Sequence, residues 1–264
     1  MSRITGKFKE LKKRGEAALI TYIMAGDPDV AATEDLVLAL ERSGADMIEL
    51  GVPFSDPLAD GPTIQRAALR ALGSRTSLRR VFPLVKALRK KTEIPIILML
   101  YYNLVHKYGE EKFAADAAAA GVDGVIVPDL PPDEASVIRK AARERGLDMI
   151  FLLAPTSSEE RIRLVEKSGG GFIYYVSLTG VTGARAAMDG GIDASIKNIR
   201  RLTKKPVCVG FGVSKPEQAR ALSKTADGVI VGSAIVGIIE KAKARDGMLR
   251  EVGRFVRSLK KAML

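Results

Sequence analysis

Eight short apolar runs alternate with amphipathic stretches, and this alternation constrains the chain more than any other feature. The runs are Ala18–Ile23, Met47–Gly51, Ile96–Tyr101, Gly124–Val127, Asp148–Leu153, Phe172–Val176, Val207–Phe211 and Gly228–Val231. Most are continuous in apolarity, as expected of parallel strands covered on both faces. Between them, apolar residues recur at helical spacing over Val30–Ser43, Ser77–Lys91, Glu110–Ala120, Asp133–Arg145, Glu159–Ser168 and Ala194–Thr203. Gly44, Gly121, Gly146 and Gly169 follow four of these stretches and suit left-handed helix caps. The phrases Gly44-Ala-Asp46, Gly121-Val-Asp123 and Thr225-Ala-Asp227 each precede a run and mark the repeat. Eight strand–helix units within 264 residues, with no linker between them, predict an α/β fold: one (β/α)8 TIM barrel spanning residues 1–264. Ile4, Phe8 and Leu11 add a short N-terminal helix with a basic outer face.

Composition excludes several classes. One cysteine and no tryptophan rule out a disulfide scaffold and fit a reducing, cytoplasmic setting. Cys208 sits between Val207 and Val209 and reads as a small buried hydrophobe. No stretch approaches the roughly 18 unbroken apolar residues of a membrane helix. The N-terminus lacks the apolar core of a secretory signal. A net charge of +11 raises nucleic-acid binding, but the cations are mixed with acids on nearly every predicted helix and have no aromatic residues among them to stack bases. They fit solvated helix faces and a general attraction for small anions. His106 is the only histidine, so a histidine metal cluster has no basis, and it reads as a surface or cap residue.

The chemistry concentrates at the ends of the predicted strands, the working face of such a barrel. Glu49 lies between Ile48 and Leu50 near the end of the second run, and Asp56 and Asp60 follow in a proline- and glycine-rich loop. A buried carboxyl must pair with a cation or become neutral. Glu49 therefore reads either as half of a core ion pair or as a proton donor with a raised pKa, with a better-solvated, charged Asp60 nearby. Turn formation is the alternative for Asp56 and Asp60, and it is their combination with Glu49 that favours chemistry. Two carboxyl groups fit a glycosidase, an isomerase or a lyase alike.

The seventh run leads into Gly210-Phe211-Gly212-Val213-Ser214, with Ser214 and Glu217 spaced as a capping box around Pro216. The eighth leads into Gly232-Ser233-Ala234-Ile235, where a helix starts at Ser233. Small residues on these adjacent turns let backbone N–H groups reach an anion, and such turns are the usual phosphate site of these barrels. The segment Thr179–Gly191 is long for a strand-to-helix connection and has glycines at both ends, as expected of a lid that closes over substrate.

The stretch from Gly51 to Gln65, GVPFSDPLADGPTIQ, closely resembles the signature of the tryptophan synthase α-subunit family. The resemblance continues through Ala25-Gly-Asp-Pro28, Tyr102-Asn-Leu104, Gly180-Val-Thr-Gly183, Gly210-Phe-Gly212 and Gly232-Ser-Ala-Ile-Val236. It implies a lyase that cleaves indole-3-glycerol phosphate to indole and glyceraldehyde 3-phosphate. By the same resemblance, Glu49 is the general acid–base and Asp60 accepts a hydrogen bond from the indole N–H. Tyr174, with Tyr175 facing the other side of its strand, and Thr182 match an active-site tyrosine and a lid residue. Gly183, Gly212, Gly232 and Ser233 match phosphate binders, while Phe211 and Ile64 line the indole pocket. Tyr22 stands where the family often has phenylalanine and brings a hydroxyl toward that pocket. Pro53 and Asp56 match positions that contact a β subunit, in an expected α2β2 assembly. Pyridoxal phosphate is expected only in that partner, and neither a cofactor nor a metal in this chain. Another phosphosugar isomerase or aldolase barrel, or a non-catalytic phosphate-binding barrel, remains the alternative. No lysine near a strand end offers a Schiff base, which counts against the aldolase.

Overall fold

The computed structural model describes residues 2–176, 191–210 and 212–264. Its strands are β1 (Ala18–Met24), β2 (Met47–Gly51), β3 (Ile96–Met99), β4 (Gly124–Ile126), β5 (Asp148–Ile150), β6 (Leu152–Leu153), β7 (Ile173–Val176), β8 (Val207–Gly210) and β9 (Gly228–Val231). All pair in parallel, in the order β5-β4-β3-β2-β1-β9-β8-β7-β6. The two ends of this sheet, β5 and β6, are successive pieces of one stretch interrupted at Phe151. The lower piece pairs with β4 and the upper with β7, so the sheet closes on itself as a TIM barrel. The predicted fifth strand is thus split where its partner changes.

Twelve helices are described: α1 (Arg3–Arg14), α2 (Val30–Arg42), α3 (Pro62–Gly73), α4 (Leu78–Leu88), α5 (Tyr102–Tyr108), α6 (Glu110–Ala120), α7 (Ser136–Glu144), α8 (Glu159–Ser168), α9 (Gly191–Leu202), α10 (Pro216–Ser223), α11 (Ser233–Lys241) and α12 (Arg245–Met263). Ile4, Phe8 and Leu11 of α1 pack among the strand residues Ile20, Met47, Ile97 and Cys208 and against Phe172, just before β7, and fill the barrel interior beneath the site. The alternate residues face the helix layer, where Leu19, Ile48, Leu98 and Val209 meet the inner faces of the helices. Among the described residues no helix is long and apolar enough to cross a membrane.

The repeated aspartates acquire a physical meaning. Asp46, Asp123 and Asp227 accept hydrogen bonds from the N–H groups of Leu19, Ile96 and Val207, at 2.7, 2.8 and 2.8 Å. Their own N–H groups donate to the carbonyls of the same three residues. Each aspartate therefore clamps the start of the preceding strand, and each is matched by a cation: Lys260, Arg89 with Arg3, and Arg200. The clamps lie on the face opposite the site, where they serve stability.

Two capping expectations are corrected. Gly44, Gly121 and Gly146 have φ of 101°, 93° and 73°, but Gly169 is extended, at −87°. A Cβ there would lie 3.1 Å from the Val165 carbonyl and 3.3 Å from that of Met149, so close packing of α8 on β5, not handedness, calls for glycine. At α10 the cap is Lys215, and the Gln218 side chain accepts from the N–H groups of Ser214 and Lys215, at 2.9 and 3.0 Å. Pro216 opens the helix one residue later than the Ser214–Glu217 spacing predicts, which makes Gln218 the third helical residue.

Candidate active site

Strand β2 alternates Met47 and Glu49 inward with Ile48 and Leu50 outward, and it ends at Gly51. Glu49 stands opposite Tyr22 of β1 and Ile97 of β3 and is 1% exposed. Its Oε2 has no hydrogen-bond partner among the described residues, and no cation there pairs with it. The ion-pair reading of Glu49 thus has no partner in the described structure. Burial, reinforced by the charge of Asp60, pushes its carboxyl up to about 8, so it holds its proton at neutral pH.

Asp60 sits in the β2–α3 loop, half-buried, just before the helix cap Gly61. The loop is held by its own bonds: the Asp60 N–H donates to the Pro57 carbonyl at 3.0 Å, and Gln65 Nε2 donates to the Asp60 carbonyl at 2.8 Å. Burial raises the Asp60 carboxyl to about 6, against the opposing pull of the Tyr101 hydroxyl. One acid is therefore mainly neutral and the other mainly charged at pH 7, as proton donation beside a stabilising charge requires.

The sequence motif points to Tyr102, but the residue that reaches the site loop is its neighbour Tyr101. Its hydroxyl accepts from the Ala59 N–H at 2.9 Å, and its ring stacks on Phe54 at 5.4 Å. Tyr101 thus braces the β2–α3 loop at both ends while acting on Asp60. The signal was present: Ile97, Met99 and Tyr101 form one alternating, inward series ending at the working face.

Two tyrosines complete the walls. Tyr22 lies over Gly51, where a Cβ would come 2.2 Å from its hydroxyl. Tyr174 lies over Gly210 in the same way, with 2.5 Å from such a Cβ to its hydroxyl. Burial, then the nearby acids, pushes both phenols well above their ordinary value. Tyr175 is 2% exposed and packs in the outer layer, so the inward member of the pair is Tyr174. Ile64 packs with Tyr22 and Met24 against Val236, between α3 and α11.

Above β8 and β9, Gly212 adopts φ +28° and is exposed. Gly232 caps α11, and Ser233 opens it. The first backbone bond of α11 runs from the Val236 N–H to the Gly232 carbonyl, which leaves the preceding N–H groups available to an anion. A Cβ on Gly232 would approach Tyr22 Cβ to 3.2 Å, so Tyr22 extends from this cradle toward the acid pair. Thr182, Gly183, Phe211 and the predicted lid up to residue 190 lie outside the described residues.

On the outer side of the β2–α3 loop, Pro53 is buried whereas Asp56 is exposed and accepts from Ser55 Oγ at 2.6 Å. Leu58, at the same tip, is 93% exposed. His106 is exposed on α5, and Cys208 is fully buried in the barrel interior. Among the described residues no group of acids, histidines and cysteines could hold a metal ion.

A TIM barrel with an uneven acid pair above β2 and free helix-start N–H groups above β9 defines a barrel enzyme with its working face at the C-terminal ends of the strands. The family model for the tryptophan synthase alpha chain matches residues 8–264. The tryptophan synthase alpha chain of Geobacter sp. (strain M21) is 53% identical over 264 residues, covering 100% of this chain and 98% of that one. The crystal structure of the tryptophan synthase alpha subunit from Legionella pneumophila str. Paris superposes with a TM-score of 0.94 at 40% identity, covering 100% of this chain and 98% of that one. A structure from the tryptophan synthase α2β2 complex of Pyrococcus furiosus gives a TM-score of 0.86 at 43% identity, covering 92% and 98% of the two chains. The chain belongs to the tryptophan synthase alpha chain family, which serves tryptophan biosynthesis.

Proposed function

We propose that this chain is a carbon–carbon lyase that cleaves indole-3-glycerol phosphate to indole and glyceraldehyde 3-phosphate. The observation that carries the reading is the buried Glu49, with no partner for its Oε2 among the described residues and within reach of the Asp60 charge. Protonated Glu49 delivers its proton to indole C3, and the ring becomes a cation. Asp60, charged, accepts a hydrogen bond from the indole N–H and stabilises that cation. The hydroxyl on the carbon joined to C3 then gives its proton to the Glu49 carboxylate as the C–C bond breaks. The electron pair of that bond restores the aromatic indole, the hydroxyl oxygen becomes the aldehyde, and Glu49 ends protonated again. Proton transfer of this kind supplies about 10² to 10⁴ in rate. Gly212, Gly232 and Ser233 hold the phosphate.

The α2β2 complex of Pyrococcus furiosus supports a β subunit as partner. The exposed tip of the β2–α3 loop, with Asp56 and Leu58, is its proposed seat, and pyridoxal phosphate belongs to that partner. Indole release from indole-3-glycerol phosphate by the purified chain, alone and with a β subunit, tests the reading. Accumulation of indole and glyceraldehyde 3-phosphate in equal amounts is expected. No indole under either condition would refute the lyase in favour of another phosphosugar barrel or a binding protein.

A further inference from the structure

Arg70, outside the site, joins three of the segments that build it. Its Nε and Nη2 donate to the two oxygens of Asp27 at 2.8 Å each, and its Nη1 donates to Glu240 at 2.9 Å. Arg66, one turn earlier on α3, donates to both oxygens of Glu240, at 2.6 and 2.9 Å. Asp27 is 1% exposed, lies in the loop after β1, and has no other side-chain partner among the described residues. Glu240 lies near the end of α11.

These segments carry the working groups. Helix α3 begins two residues after Asp60, α11 begins at the anion cradle, and β1 supplies Tyr22. The helices meet along an apolar seam in which Ile64, Ala67 and Ala71 of α3 close on Val236, Tyr22 and Met24. Alanines allow close approach but interlock weakly, so the seam alone resists sliding poorly. The forked guanidinium fixes direction as well as distance, which an apolar contact does not. We propose that Arg70 is a positioning residue, which sets the spacing between the Glu49–Asp60 pair and the anion cradle by locking α3, α11 and the loop after β1 together. The inference rests on the lyase reading, since spacing matters only for a substrate that occupies both ends.

The test compares the full-length wild type with Arg70→Lys and Glu240→Gln. Turnover of indole-3-glycerol phosphate is measured beside the separate affinities for inorganic phosphate, which fills the cradle, and indole, which fills the slot. Lysine keeps the charge but loses the fork, so kcat/KM should fall about 10- to 100-fold, the scale of an ångström's misplacement. Each single-end affinity should stay within about twofold, because each half-site is intact. Glu240→Gln frees only α11 and should show the same pattern more weakly; it leaves Asp27 paired, and so decides the matter if Arg70→Lys does not fold. Unchanged kcat/KM, or phosphate and indole affinities that fall together with turnover, would overturn the spacing role. A wild type that releases no indole refutes the lyase reading itself, a separate outcome.

Discussion

Replacing Glu49 by glutamine removes a proton-binding site that burial has shifted, and the effect on stability can be worked out. The carboxyl moves from an ordinary value of 4.5 to about 8 in the folded chain. Between these values the folded chain keeps a proton that the unfolded chain has released. Rising pH therefore favours unfolding in this window, the reverse of the usual salt-bridged carboxylate. From 4.5 to 7 is about 2.5 pH units, and at about 1.4 kcal/mol per unit the cost reaches about 3 kcal/mol at pH 7. Above pH 8 it levels off near about 5 kcal/mol. Glutamine has nothing to ionise, and whatever its buried amide costs is the same at every pH. The stability difference between Glu49→Gln and wild type should consequently swing by about 3 kcal/mol in the variant's favour between pH 4.5 and pH 7, or about 6–12 °C in midpoint. Urea unfolding of both proteins across this range measures it. A difference that stays flat with pH would mean that Glu49 is not held neutral by burial, and the proton-delivery argument would lose its physical basis.

Other expectations follow from neighbouring contacts. Asp60→Asn keeps the shape of the loop but removes the charge, so kcat for indole release should fall at least about 10²-fold; an unchanged rate removes Asp60 from the mechanism. Tyr101→Phe deletes the hydroxyl that favours the charged form of Asp60, so the acid limb of the pH–rate profile should move to higher pH; a limb that stays or moves down contradicts the assignment. Asp46→Ala leaves the Leu19 N–H without its side-chain acceptor and Lys260 with Glu16 alone, which should cost about 1–3 kcal/mol in denaturant unfolding while kcat/KM of the folded enzyme is unchanged. Gly210→Ala forces a methyl group into the space of the Tyr174 hydroxyl, so KM should rise several-fold at least; an unaltered KM would place Tyr174 away from the substrate.

The barrel was legible because its signals are local. Continuous apolar runs specify buried parallel strands, and Glu110–Ala120 and Glu159–Ser168 have the predicted boundaries because a change of periodicity and a glycine mark their ends. Glu49 was legible because a carboxylate between Ile48 and Leu50 violates the rule for a buried strand. Strand alternation puts Tyr174 and Tyr175 on opposite faces but does not say which is inward; the resemblance points to Tyr174, and the packing of Tyr175 in the outer layer agrees. What escaped depends on which chain segments meet. The Asp46, Asp123 and Asp227 repeat was visible, but its role as a clamp on the preceding strand depends on parallel register. Tyr101 resembles a core residue until the β2–α3 loop folds over it. Arg70 looks like one more surface cation on α3 until Asp27 and Glu240, far away in the chain, are brought to it. Gly169 and Ser214 mislead for a related reason: close packing can require a glycine that left-handed geometry does not, and a proline can move a helix start by one residue.

The measurement that bears most directly on the acid pair is the pH dependence of kcat/KM for indole release. Asp60 must be charged and Glu49 protonated, so the account predicts a bell that rises through about pH 6 and falls through about pH 8. A profile that is flat from pH 5 to 9, or that keeps climbing above pH 8, would contradict proton donation from a neutral Glu49.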